Sequence, residues 1–106
     1  MDRYRDITEQ ILIDNNFENI TKNHEAEYWK TSEYAIQDFS EWRKDTSEVD
    51  GDNYVIIDMK KGITNNGADW GVHIDNYFCA SIGSADISTT WQFNMLMKIF
   101  GSKFRL

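Results

Sequence analysis

The sequence predicts an α+β domain. An N-terminal helix is followed by an antiparallel sheet of about four to five strands and a C-terminal helix, with the helices packed on one face. Three observations carry this. Near both ends of the chain, apolar residues recur at three- and four-residue spacing, the repeat of a helix face. Between residues 54 and 83 they alternate, or run as short β-branched blocks bounded by Asn and Gly, which is the pattern of strands. A helix stripe must be buried, and the apolar face of a sheet is the surface this chain offers it. The 106 residues suit one domain, residues 1–106, with no repeat, linker or low-complexity tract dividing them.

Taken in order, Asp2 is placed to cap a first helix over residues 3–14, with Tyr4, Ile7, Ile11 and Leu12 on one stripe. Asn15-Asn16 suits its end, because Asn tolerates the left-handed conformation found there. Phe17 and Ile20 begin an extended segment. Residues 25–43 admit two readings. Tyr28-Trp29-Lys30 and Glu33-Tyr34-Ala35-Ile36 flank Thr31-Ser32 as a hairpin, the preferred reading. The spacing of Ala35, Phe39 and Trp42, with Ser32 as cap, describes a helix instead.

Residues 45–53, rich in Asx and with a central Gly51, read as a loop. Tyr54-Val55-Ile56-Ile57-Asp58-Met59 reads as an inner strand, and Asn65-Asn66-Gly67 as a turn. Trp70, Val72 and Ile74 alternate with Gly71, His73 and Asp75 in a half-buried strand. Asn76-Tyr77 turns the chain, and Phe78, Ala80 and Ile82 continue the alternation to Gly83, with Cys79 inside that strand. Thr89 and Gln92 form a capping box. On the helix that follows, Trp91, Met95 and Lys98 or Ile99 share a sector, which Phe93, Leu96 and Phe100 extend. Gly101 stops it, and Phe104 and Leu106 return to the core.

The segments Trp70-x-Val72-His73-Ile74-Asp75-Asn76, Ser81-Ile82-Gly83-Ser84-Ala85-Asp86-Ile87-Ser88-Thr89, Gln92-Phe93-Asn94 and Phe104-x-Leu106 resemble small uncharacterised acidic proteins of gut Bacteroidales genomes, phages and mobile elements. The resemblance is confined to the last third of the chain. It implies an accessory gene product and brings no catalytic residue with it. The same stretch also reads as fold grammar: Gly83 permits a sharp exit from the strand, and Asp86, between strand and helix, accepts free backbone N–H groups.

Composition narrows the function classes. There are 18 acids against 11 bases, a net charge of −7. A hydrophobic content of 41% is too high for a disordered acidic tail. No apolar run approaches the ~20 residues of a membrane span. A single cysteine rules out a disulfide framework and a Cys-based zinc cage. The negative balance gives no broad grip on DNA or RNA, so direct nucleic-acid binding is not expected. Met1-Asp2-Arg3-Tyr4-Arg5-Asp6 has no apolar stretch behind it, which makes the cytoplasm the expected compartment.

The acids are unevenly placed, with 14 against 6 bases in residues 1–53 and 4 against 5 in residues 54–106. This asymmetry points to a non-enzymatic interaction module that docks on a basic protein surface, as an accessory factor or inhibitor of a phage or mobile element. A sharper form imitates the charge of nucleic acid. Glu41, Glu48, Asp50, Asp52 and Trp42 are its candidate contact residues. No cofactor and no metal are expected.

Other readings stand beside it. Asp58-x-Lys60, with a loop acid such as Asp45, Asp50 or Asp52, resembles the PD-(D/E)xK nuclease core, where carboxylates hold Mg²⁺ and the lysine steadies water. The preceding Pro-Asp of that family and a positive track for the substrate are missing. His73-x-Asp75 share a strand face and would serve as an acid–base pair or, with Cys79 on the neighbouring strand and His24 distant, as a His/Asp/Cys metal site; the same spacing also describes the solvent side of a half-buried strand. Asp50-Gly51-Asp52-Asn53 fails the calcium-loop register: with Gly51 at the sixth position, Thr46 falls at the first and Ile57 at the twelfth. A self-associating module, dimerising through a strand edge or aromatic patch, is the third reading.

Overall fold

The computed structural model describes residues 5–21, 40–61 and 69–106. Among them, five strands form one antiparallel sheet in sequence order: β1 (Glu18–Asn19), β2 (Ser40–Asp45), β3 (Val55–Lys61), β4 (Trp70–Asn76) and β5 (Ser81–Ile87). The chain is therefore α+β. Its β-branched run makes β3 the middle strand, with Ile57 opposite both Lys44 and Ile74, and Met59 opposite both Trp42 and Val72. Alternation then sorts the side chains. Trp42, Val55, Ile57, Met59, Trp70, Val72, Ile74 and Ile87 face one way and join Ile7, Leu12, Phe17, Phe93, Met97 and Phe104 in a single buried cluster. Burying each large apolar side chain contributes about 1.5–3 kcal/mol. Arg43, Asp58, Lys60, Gly71, His73, Ser84 and Asp86 lie on the opposite, polar face.

Several elements depart from the sequence reading. The first helix, α1 (Glu9–Asp14), starts later than residue 3 and is capped by Thr8, whose hydroxyl accepts from the Ile11 N–H at 3.3 Å. Residues 5–7 are instead extended. Asp6 bridges to Thr89, the Ile7 N–H donates to the Ser88 carbonyl at 2.9 Å, and the Thr90 N–H donates to the Arg5 carbonyl at 2.9 Å. The Trp70 indole N–H adds a bond to the Ile7 carbonyl at 3.0 Å. Tertiary pairing here outweighs the local helical spacing. Asn16 has φ +62, as its stop role requires.

Ser40–Asp45 is a strand, so the alternative helix does not extend to Trp42. The rest of that question, residues 25–39, lies outside the described residues, as do Asp2, His24 and the Asn65-Asn66-Gly67 turn. The expected 45–53 loop contains a helical turn, α2 (Ser47–Asp50), and a 3-10 turn (Gly51–Asn53). Fully buried Thr46 anchors it by accepting from the Val55 N–H at 2.9 Å.

Strand β5 continues past Gly83 to Ile87, which places Asp86 within the strand rather than after it. Gly83 allows no sharp exit; a Cβ there would fall inside the Phe100 ring, so the glycine makes room for packing. Phe78 and Ala80 do not continue the alternation. The Asn76 side chain accepts from both their backbone N–H groups, at 2.9 and 3.0 Å, closing an Asx turn. Cys79 sits in that turn with φ +62, exposed, not in a strand.

The last helix, α3 (Thr90–Ile99), carries the expected capping box: the Gln92 backbone N–H donates to the Thr89 hydroxyl at 3.2 Å, and the Thr89 backbone N–H to Gln92 Oε1 at 3.0 Å. Its inward residues are Phe93 and Met97, with Leu96 and Phe100 beside them, whereas Trp91, Met95 and Ile99 are exposed. The Phe17 and Phe104 rings, whose centroids lie 6.4 and 5.9 Å from that of Phe93, select this side of the helix. Gly101, at φ +77, turns the chain back. Phe104 enters the core, and Leu106 exchanges bonds of 2.8 and 3.1 Å with the Asn94 side chain.

Candidate functional site

Antiparallel order puts the ends of β2 and β4 and the starts of β3 and β5 at one end of the sheet. The connections 46–54 and 77–80 are therefore neighbours, and the Tyr54 and Tyr77 rings meet at 6.4 Å. Tyr77 and Phe78 stand together, centroids 4.1 Å apart, and Phe78 is 75% exposed. Val49, Glu48 and Asp52 are exposed on the adjoining connection. Besides the Asn76 side chain that spans it, the turn beneath Phe78 is tied by two backbone bonds: the Asn76 N–H donates to the Ala80 carbonyl at 2.8 Å, and the Cys79 N–H to the Asn76 carbonyl at 2.8 Å.

Asp50, on the same connection, faces the C-terminal tail. Its carboxylate accepts from the Thr46 hydroxyl at 2.6 Å, the Ser102 hydroxyl at 2.6 Å and the Lys103 N–H at 2.8 Å. Desolvation alone would raise this carboxyl. The Lys103 amide, the Ser102 and Thr46 hydroxyls and the Lys103 charge outweigh it and hold the pKa below its ordinary value. Of the five candidate contact residues, then, only Glu48 and Asp52 stand freely at the sheet end, with Asp50 beside them holding the tail. Glu41 and Trp42 are buried, at 2% and 4% exposure, Glu41 on the polar face and Trp42 in the core.

The polar face carries two cross-strand rows, Arg43–Asp58–His73–Ser84 and Glu41–Lys60–Gly71–Asp86. Arg43 Nε donates to Asp58 Oδ1 at 2.7 Å. That bond, together with the charges of Asp58, Glu41 and Asp75, raises the guanidinium pKa against the opposing effect of burial. Lys60 Nζ lies 3.9 Å from Glu41 Oε1, and His73 Nε2 lies 2.9 Å from Asp75 Oδ1. Asp58 and Lys60 thus share a face but engage different partners, while Asp45, which ends β2, and Asp50 and Asp52, on the 46–54 connection, lie at the sheet end. The His73–Asp75 pair forms, whereas Cys79 lies in the end turn. Among the described residues, no group of three or more His, Cys, Asp or Glu side chains is placed to hold a metal ion. Lys60, Gly71, His73, Ser84 and Asp86, together with Val72 and Ala85, line an open depression of about 370 Å³.

Two features went unread in the sequence. The Tyr77–Phe78 pair was signalled by Asn76, whose side chain closes turns, and the depression by Gly71, a glycine inside a strand. No protein-family description, curated protein or solved structure matches the chain. Among the described residues, no helix is long and apolar enough to cross a membrane.

Proposed function

We propose that this chain is a protein-interaction module that docks on a basic partner surface through the sheet end built by the 46–54 and 77–80 connections. The observation carrying this is Phe78, 75% exposed and presented by a hydrogen-bonded turn beside exposed Glu48 and Asp52. A large apolar ring held in water by a fixed backbone is a preorganised anchor, since little order remains to be imposed on binding. Neighbouring carboxylates attract Arg and Lys, and the Tyr77 and Phe78 faces receive the same cations. In this reading α1 and α3 lie over the apolar face of the sheet, leaving its end to other molecules. The chain then acts in the cytoplasm as an accessory factor or inhibitor of a phage or mobile element, with no chemistry of its own.

Affinity capture from the native host, read by mass spectrometry, tests this. Phe78→Ala should weaken the captured complex by about 30-fold or more, the loss of a hot spot. The pair Glu48→Gln and Asp52→Asn should weaken it less, and chiefly at low salt, because rim charges are screened over about 10 Å at 0.1 M. All three side chains are exposed, so thermal melting should be unchanged. Capture indifferent to salt and to both charge changes would refute charge docking. Sedimentation of the pure protein separates self-association from docking on another chain.

A further inference from the structure

The two strand glycines on opposite faces of the sheet have different explanations. Gly83 is required by packing, because a Cβ there would strike Phe100. Gly71 is not: a Cβ built on it would lie 3.6 Å from Asp86 Oδ1 and 3.9 Å from the Lys60 carbonyl oxygen, ordinary contact distances. Glycine inside a strand sacrifices stability and often marks close approach by a ligand. The consequence of Gly71 is the open floor of the depression.

Lys60 and Asp86 are the registered neighbours of Gly71 on either side. Opposite charges therefore face each other across the vacant floor without closing an ion pair. Among the described residues, the Lys60 ammonium has only the long 3.9 Å contact to Glu41, and Asp86 makes no hydrogen bond or ion pair. Ser84 supplies a hydroxyl on one side, and His73 is held there by Asp75. A simple anion would meet Lys60 but be repelled by Asp86, and a simple cation the reverse. A volume of about 370 Å³ suits a small molecule.

We propose that this depression binds a small zwitterion of the amino-acid type, its carboxylate against Lys60 and its ammonium against Asp86. The site is separate from the docking end, so either can fail without the other. Because it is open and shallow, binding should be in the millimolar range.

The test is a titration of the full isotope-labelled chain with L-serine, followed by amide NMR shifts. N-acetyl-L-serine, which keeps only the negative charge, and L-serinamide, which keeps only the positive, serve as comparisons. Shifts should cluster at residues 60, 71, 73, 84 and 86, and each single-charge analogue should bind about tenfold more weakly. Lys60→Gln should remove the advantage of L-serine over L-serinamide, and Asp86→Asn its advantage over N-acetyl-L-serine. Gly71→Val, or Gly71→Ala if the larger side chain disturbs the fold, should keep or raise the melting temperature while weakening binding. Absence of clustered shifts, or equal binding of the single-charge analogues, overturns the proposal.

Discussion

Replacing Asp50 by Asn is the sharpest probe of how the tail is held. Two hydroxyls and one amide converge on the Asp50 carboxylate at 2.6, 2.6 and 2.8 Å. Asparagine keeps the shape. Its carbonyl retains the Lys103 N–H, and its NH₂ meets the Thr46 and Ser102 hydroxyls. Each hydroxyl already accepts one backbone N–H, from Val55 and Phe104 respectively, and has a lone pair left to accept another. What disappears is the charge assistance, which roughly doubles the strength of such bonds, and the acceptor for the Thr46 and Ser102 hydroxyl protons, offset in part by relief from desolvating a carboxylate. Hydrogen bonds to charged groups contribute about 1.5–3 kcal/mol net each, so losing part of three gives about 2 kcal/mol. At 4–8 °C per kcal/mol for a small domain, the melting temperature should fall by about 10 °C. Urea unfolding followed by tryptophan fluorescence measures the difference directly. Its pH dependence gives the sign. The folded pKa of Asp50 is depressed, so its stabilisation is complete above the ordinary value of 3.8 and is lost as pH falls through the lower folded value. The gap between wild type and Asp50→Asn should be full near neutral pH and shrink on acidification below that value. A gap under about 0.5 kcal/mol at neutrality, or one independent of pH, would refute this account.

Gly83→Ala should cost about 1–3 kcal/mol, because the methyl displaces the Phe100 ring from its seat; unchanged chemical denaturation would contradict that packing. Thr89→Ala should cost about 1 kcal/mol through loss of the capping box, visible as reduced helical circular dichroism on mild heating. Trp70→Phe should cost about 2 kcal/mol, removing volume and the bond to the Ile7 carbonyl, and should speed hydrogen exchange at Ile7 before it affects the centre of β3. Phe78→Ala should change stability by less than about 0.5 kcal/mol, which calorimetry can check.

The parts of the fold legible in sequence are those whose signals are local. The β-branched block of β3, the alternation of Trp70, Val72 and Ile74, and the Thr89–Gln92 pair each specify their own conformation. The illegible parts are decided by partners distant in the chain. Ile7 fits a helical stripe as well as a strand, and only its bonds to Ser88 and Trp70 choose between them. Trp91 and Met95 have the same four-residue spacing as Phe93 and Met97, and the rings of Phe17 and Phe104 decide which pair turns inward. At the candidate site, Glu48 and Asp52 were readable as exposed turn acids. Asp50 has the same residue type and setting but is drawn inward by Ser102, far along the chain. Phe78 was hidden by an apparent alternation that the Asn76 turn interrupts.

The extended segment at residues 5–7 has a kinetic consequence. Its partners are Ser88, Thr90 and Trp70, the last of them 63 residues away in sequence. During synthesis residues 5–7 must wait, unpaired, until residues 70–90 have emerged, so this closure is a late and comparatively slow event in folding. Until then the Ile7 side chain and the backbone groups of Ser88 and Thr90, just beyond β5, remain open to chaperones and to mispairing between nascent copies.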